Sequence, residues 1–559
     1  MFRKYLPCYL LGFIILLAVL VRVWGLGAGL PYFFVNDERS LVYGALKMAQ
    51  LKTLIPALHT QDFGILYYPP LMSYIYLIFL APFILIKYLI GHFNNFTELG
   101  NYFILNPASL WLIARLVNAL MGAATVYLIY LIGKKMFNQW VGLISALFLA
   151  LSFLHIQLSH FTRQWSPVLF FACLVLLFSF YIYQSPKKKY YLWLGVILGL
   201  GFGISYVIGL TLIIFLMAHF FSGHFSFWEK IKDKNLWLTL VIFFLLSSIF
   251  ILLYPQEFLR FTVGQGDSAG VMARHIFAAK GLNAYFSSFA YYFKVLLFYD
   301  PLILIFSLFG TVYLWFKSKK IFFIFLSWPI IYISVLYRIL NIEPRYIALI
   351  LPWLIILASY TLYRLIIKFS ERTRGAFLVK TIILLLVFIY PLTVAWQYCH
   401  LLTQKDTRIL AEKWVEENIP AGAEIISNWR YINPIPTKEA ILFQKEMDEG
   451  SLRVADQVLL GLDDKNYPQP AYNILRMAYI DKKKLSTERN YQYFLVAFWN
   501  ENDLSPEEKT IIQKARLIQE FKPSPAAQAE DVNGGDFFRP VYLFFSLERL
   551  GPIVRIYKL

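Results

Sequence analysis

The sequence predicts a polytopic α-helical membrane protein of about 11 spans, followed by a soluble C-terminal α/β domain. Three observations carry this. Hydrophobic residues make up 59% of the 559 and charged residues 15%, whereas soluble domains are about 45–50% apolar and about 25% charged. Apolar stretches of about 20 residues, the length of a crossing helix, recur through the first 400 residues. From Gln404 onward they stop, and short amphipathic and alternating segments take over.

The formal charge of +18 is unevenly placed. Residues 400–559 hold 21 basic and 23 acidic residues, and residues 1–399 hold 31 basic and 11 acidic. The excess lies between apolar stretches, where basic residues set membrane orientation, so no nucleic-acid footprint is left. Cys8, Cys173 and Cys399 lie far apart and show neither disulfide nor metal spacing. The first stretch follows Arg3 and Lys4 but lacks a small-residue cleavage site, and it reads as a retained helix.

Candidate spans lie near 6–24, 69–90, 107–132, 140–157, 166–184, 190–221, 236–255, 291–316, 321–338, 346–367 and 376–398. The 190–221 stretch is too long for one helix and contains Gly199, Gly201, Gly203 and Gly209, so it reads as a hairpin of two short spans. Basic clusters stand at Arg3/Lys4, Lys134/Lys135, Lys187–Lys189, Lys230–Lys234, Lys317–Lys320 and Arg364–Arg374. If 69–90 stays at the outer surface and 190–221 is a hairpin, every cluster falls on the cytoplasmic side. The expected topology has the N-terminus cytoplasmic and the C-terminal domain extracytoplasmic, in the cell membrane. Asp37, Glu38, Asp62, Glu98, Glu257, Asp267, Asp300 and Glu343 then lie outside, with Glu229, Asp233 and Glu371 inside.

The expected units are a transmembrane module, 1–400, and a soluble domain, 401–559. The module carries outer loops at 25–106 and 256–290, a short one from Ser159 to Pro167, and a tight turn at 339–345. In the domain, a helix follows Asp406-Thr407-Arg408, strands cover 424–427 and 493–498, and Ser505-Pro506 starts a helix with capping-box spacing. Val541–Phe545 and Ile553–Leu559 read as terminal strands. No nucleophile elbow, phosphate loop or zinc spacing occurs there.

Candidate chemistry gathers on the outer side. Asp37 and Glu38 precede an amphipathic run, Leu41, Ala45, Met48 and Ala49. A carboxylate at the bilayer surface suits deprotonating an acceptor; the simpler reading is a solvated acid pair. Arg115 lies inside the second span, where an arginine is costly and is functional, paired or snorkelling. His160 and Arg163 fall in the second outer loop, as site residues or interface anchors. Glu343-Pro344-Arg345-Tyr346 opens the tenth span, and Arg345 can match phosphate oxygens with two donors. His59 and Asp62 stand before Tyr67-Tyr68-Pro69-Pro70, placed to orient a sugar or phosphate.

Together these residues resemble the GT-C superfamily of membrane glycosyltransferases, in particular the protein O-mannosyltransferase and lipid A aminoarabinose transferase families. The likeness rests on Asn36-Asp37-Glu38-Arg39, Tyr68-Pro69-Pro70-Leu71, Arg115, Gly133 to Phe137, Ser159 to Arg163, Arg345-Tyr346 with Pro352, and Asp406-Thr407-Arg408 with Trp414 and Asn418-Ile419-Pro420. It implies a sugar donor on undecaprenyl or dolichyl phosphate, an acceptor lipid, protein or glycan at the outer face, and inversion at the anomeric carbon. It implies Asp37 as general base, Glu38 assisting or holding the acceptor, and Arg115, Arg163 and Arg345 on phosphate. The families usually carry an Asp in the second outer loop; here Trp165 stands at that place, which weakens the case for a divalent cation, the one cofactor the resemblance leaves open. No WWD signature is present, against transfer of whole oligosaccharides to asparagine. Two rival readings are a lipid or sugar transporter, which needs paired midplane charges and internal repeats, and a non-catalytic membrane scaffold.

Overall fold

The computed structural model describes all residues except 1, 36, 65, 224–225, 263–280, 337–342, 371–375, 429–431, 433, 448–451, 478–489 and 525–540. Asn36, Asp267, most of the 256–290 loop and most of the 339–345 turn therefore lie outside the described residues.

The first half of the chain forms α1 (Phe2–Val23), α2 (Glu38–Leu51), α3 (Leu71–Ile90), α4 (Phe96–Leu105), α5 (Ala108–Met136), α6 (Gln139–Leu151), α7 (Phe153–His160) and α8 (Trp165–Gln184). Then come α9 (Lys188–Phe202), α10 (Leu212–Phe221), α11 (Phe227–Ile231), α12 (Lys234–Leu253), α13 (Pro255–Thr262), α14 (Leu282–Tyr299), α15 (Pro301–Lys317) and α16 (Lys319–Leu336). A 3-10 turn, Pro344–Ile350, leads into α17 (Leu351–Ser370), and α18 (Ala376–Thr403) reaches the C-terminal domain. Among the described residues, eight helices are long and apolar enough to cross a membrane, and up to ten if each bent pair is one span. The protein is an integral multi-pass membrane protein.

The expected count of eleven differs for three reasons. The 190–221 stretch does form a hairpin, but its arms, 15 and 10 residues long, are short for a crossing helix: α9 leads into a 3-10 turn at Tyr206–Thr211 that reverses the chain, and α10 returns. The Tyr191 hydroxyl and His219 Nδ1, 2.8 Å apart, join the two ends. The glycines do more than bend the chain. A Cβ on Gly199 would lie 2.5 Å from Leu246 Cβ, and one on Gly203 would lie 2.5 Å from the Phe250 ring. They let α9 close on α12 as small residues do between membrane helices. The 291–316 stretch is not one helix, because α14 and α15 meet at 118° across Asp300-Pro301; a proline ring cannot continue the preceding helix. Finally, α3 is long and apolar enough to cross, although 69–90 was expected to lie along the surface.

The contacts of α3 set its place. The Leu71 N–H donates to the Gly203 carbonyl at 3.0 Å, the Ser73 hydroxyl to the Leu41 carbonyl at 2.8 Å, and the Tyr76 hydroxyl to Asn118 Oδ1 at 2.8 Å. At its far end Tyr88 stacks on Phe96 of α4 at 4.2 Å, and Lys87 sits over the Tyr102 ring. The far end of α3 is thus tied to α4, which leads into the start of α5.

Among the described residues, several basic clusters meet one another. Lys135 covers Tyr181, which stacks on Tyr190; Lys317 covers Phe137 and Tyr360; Arg364 covers Tyr313; and Lys230 feels the charge of Lys320.

A second break, of 57°, separates α6 from α7 at Ser152. In an unbroken helix the carbonyls of Leu149 and Ala150 would accept from the N–H groups of Phe153 and Leu154. Instead the buried Arg22 guanidinium donates to Leu149 O at 3.0 Å and Ala150 O at 3.2 Å. The Asp300 carboxylate takes the Phe153 and Leu154 N–H groups and the Ser152 hydroxyl, the last at 2.8 Å. A cation on freed carbonyls and an anion on freed N–H groups follow the helix dipole.

The C-terminal domain contains α19 (Thr407–Asn418), β1 (Glu424–Ser427), α20 (Lys438–Met447), α21 (Val454–Leu460), β2 (Asn473–Arg476), β3 (Tyr493–Phe498), α22 (Pro506–Lys514), β4 (Arg516–Phe521) and β5 (Ile553–Lys558). Its sheet has the order β2-β1-β3-β5-β4, with β1 parallel to β2 and β3, and β5 antiparallel to β3 and β4. Ser505 makes the capping box its spacing implied. Val541–Ser546 is a 3-10 turn and not the expected strand. Its apolar residues serve docking: Gln397 Nε2 of α18 donates to the Phe544 carbonyl at 3.0 Å, and the Phe544 ring packs on Phe153 and Tyr398.

Candidate active site

The first outer loop delivers two adjacent acids into opposite surroundings. Asp37 caps α2 in the left-handed region, φ 64° and ψ −6°, and its side chain makes no capping bond to its own helix. Asp tolerates this conformation better than most residues, though it still costs roughly 1–3 kcal/mol and persists where both flanks are fixed. The Asp37 carboxylate is 31% exposed and meets Arg345 Nη2 at 3.3 Å; Arg345 Nη1 lies 3.8 Å from Glu343.

One residue on, Glu38 is fully buried. Arg115 holds it with a two-pronged grip, Nε to Oε1 at 2.6 Å and Nη2 to Oε2 at 2.9 Å. Arg115 Nη1 donates to the carbonyls of Leu26 and Ala28 at 2.7 and 2.8 Å, and its guanidinium covers the Phe161 ring. The Thr162 hydroxyl donates to the Glu38 carbonyl at 2.7 Å. Arg115, expected on phosphate, is spent inside the protein, and Glu38, expected to assist the base, is its counterion.

The second outer loop is ordered by Asn118, whose Nδ2 donates to the carbonyls of Phe161 and Arg163 at 2.6 and 2.7 Å. Arg163 is buried. The His160 ring nitrogens lie 2.9 Å from the Ile156 carbonyl and 3.1 Å from that of Trp24, so His160 ties α7 to the end of α1. Trp165 packs on Tyr346 with ring centroids 5.3 Å apart. An aromatic pair thus stands where the resemblance leads to the expectation of an Asp.

Tyr68 completes the mouth. Burial pushes its phenol well above the usual range, and the Asp37 charge adds to this, while Arg345 and Arg163 oppose it. It stays a hydrogen-bond donor beside the acid and the two arginines. Sequence reading used Tyr68 and Thr162 only as parts of motifs; nothing in the chain signals that they meet Asp37 and Glu38. Asp62 is not brought here: it pairs with Lys47 at 3.6 Å on the far side of α2, and His59, in the 3-10 stretch before it, stays with it.

A divalent cation does not fit this set of residues. Among the described residues no group of three or more His, Cys, Asp and Glu side chains gathers, and the two acids of the mouth, Asp37 and Glu343, are bridged by the Arg345 cation.

Over residues 99–252 the chain matches the family model described as dolichyl-phosphate-mannose-protein mannosyltransferase. No curated protein matches it in sequence. Similar solved structures include the oligosaccharyltransferase AglB from Archaeoglobus fulgidus in complex with an inhibitory peptide and a dolichol-phosphate, at 14% identity, covering 89% of this chain and 70% of that one, with a TM-score of 0.46. Another is ArnT from Cupriavidus metallidurans bound to undecaprenyl phosphate, at 12% identity, covering 91% and 95%, with a TM-score of 0.44. The family match covers residues 99–252 and agrees there with the mannosyltransferase resemblance that the chain's residues carry.

Proposed function

We propose that this protein transfers a sugar from a polyprenyl monophosphate to an acceptor hydroxyl at the pole that holds Asp37, with inversion. The observation that carries the reading is the pairing of a half-exposed carboxylate with an arginine at one mouth, its neighbour Glu38 being locked away. In this reading the lipid phosphate binds Arg345 and Arg163, and Tyr68 donates to it. Drawing Arg345 onto phosphate loosens its hold on Asp37, so donor binding frees the base. The acceptor O–H then gives its proton to Asp37 while its oxygen attacks the anomeric carbon. The bond from that carbon to the phosphate oxygen breaks, and its electron pair leaves with the polyprenyl phosphate. Positive donors stabilise that leaving charge, so no general acid is needed.

The basic clusters are assigned to the cytoplasm by the positive-inside rule, which puts the mouth and the C-terminal domain outside. The acceptor is a lipid, protein or glycan. The test is a donor-and-acceptor screen with synthetic undecaprenyl-phosphate sugars in nanodiscs, read by mass spectrometry. Asp37→Asn is expected to lower kcat by roughly 10²- to 10⁴-fold with the protein folded and lipid still bound. Full activity in that variant would remove Asp37 as base, and no transfer from any lipid donor would remove the reading.

A further inference from the structure

We infer that the C-terminal domain is a positioning element for the acid loop, acting through Arg408 and Glu412, which grip the loop at Phe34 and Tyr32. This rests on Asp37 as the base. The Arg408 guanidinium lies 3.3 Å from the centre of the Phe34 ring, a close cation–π contact. Arg408 is held rigid for it: Nε and Nη2 each donate to Asp406 at 2.8 Å. Asp406 in turn accepts from the Arg408 backbone N–H at 2.9 Å.

The grip is wired into the domain sheet. The Thr407 N–H donates to the Leu550 carbonyl at 3.0 Å and its hydroxyl to the Pro552 carbonyl at 2.7 Å, one residue before β5. Gly551, at φ +117°, lies so close that a Cβ there would stand 2.5 Å from Asp406 Oδ1. One helical turn beyond Arg408, the buried Glu412 carboxyl neighbours the Tyr32 phenol.

Phe34 stands three residues before Asp37, a span of at most about 10 Å. The other flank of Asp37 is fixed by Arg115 and Thr162 on Glu38. Asp37 is therefore strung between two anchors, one in the transmembrane bundle and one in the C-terminal domain. Its left-handed backbone needs both. The Asp406-Thr407-Arg408 motif thereby gains a task that the chemistry at the mouth does not account for.

The test is hydrogen exchange of the full chain in nanodiscs, without substrate. In Arg408→Ala the amides of the first turn of α2, residues 38–42, should exchange roughly 3- to 30-fold faster, while β3 and β5 keep wild-type protection. Phe34→Leu removes the same contact from the loop side, leaves the domain untouched, and should give the same result. Unchanged exchange at 38–42 in both variants would overturn the clamp, even if the domain of Arg408→Ala unfolds. In the transfer assay both variants should lower kcat with KM for the lipid donor kept within about twofold. A loosened loop with unaltered kcat would instead strike the assignment of Asp37 and leave the clamp standing.

Discussion

Two acid–arginine pairs stand one residue apart in the first loop and differ in almost every physical respect. Glu38–Arg115 is dry, two-pronged and saturated with further hydrogen bonds. Asp37–Arg345 is single-pronged, longer at 3.3 Å, and half open to solvent. A buried pair returns its desolvation only when geometry and extra bonds are good, and this one turns four of the five Arg115 N–H donors inward. A single-pronged, partly exposed pair contributes less to stability than a dry, saturated one and can be exchanged for a substrate. The contrast separates an anchor from a working group where the sequence shows only two consecutive acids.

The sharpest way to break this contrast is to remove one carboxylate at a time. Glu38→Ala leaves Arg115 as an uncompensated buried charge and should cost about 3–5 kcal/mol of stability, read as a large loss of thermal midpoint in detergent. Asp37→Asn should leave that midpoint within about 1 kcal/mol of wild type. Equal losses in the two variants would erase the distinction.

Arginine geometry gives the next effect. Arg345→Lys keeps the charge but loses the planar fork, and should lower transfer by about 10²- to 10³-fold, as for loss of one oxyanion donor, at unchanged stability. Arg115→Lys should do the reverse, losing stability first. A collapse of folding in Arg345→Lys would show that the open pair is also an anchor.

The smallest effect concerns pH at the domain junction. Burial pushes the Glu412 carboxyl up to about 8; Glu416 adds to the rise and Tyr32 opposes it. Its folded value is raised above the usual 4.5, so folding takes up a proton. The stabilisation is complete below about 4.5 and is lost as pH rises through about 8. Thermal midpoints should fall between pH 6 and 9, and Glu412→Gln should flatten that slope. An unchanged slope in the variant would assign the pH dependence to another group.

Much of this was legible in the chain. The arms of the 190–221 hairpin were marked by glycines, and several of the basic clusters meet in the bundle. The start of α22 was written in Ser505-Pro506. Other features were not legible, because they depend on partners hundreds of residues away. Arg115 looked like a phosphate ligand, since a single span cannot show that Glu38, Leu26 and Ala28 converge on it. The break at 299–301 stood in the chain as Asp300-Pro301 but was masked by the apolar runs on either side, and the 541–546 segment is a short apolar run that a neighbouring membrane helix turns into a docking contact.

By itself, the sequence determined the membrane class, the helical fold with a small C-terminal sheet region, and the neighbourhood of the acids. These follow from transfer free energies and local periodicity, which act residue by residue. Only the tertiary structure decided which of two adjacent acids is an anchor and which stands open. It also decided what caps the broken helix at Ser152, and that the C-terminal domain holds the loop before Asp37. Those outcomes turn on desolvation and hydrogen-bond saturation, and both are properties of the assembled surroundings.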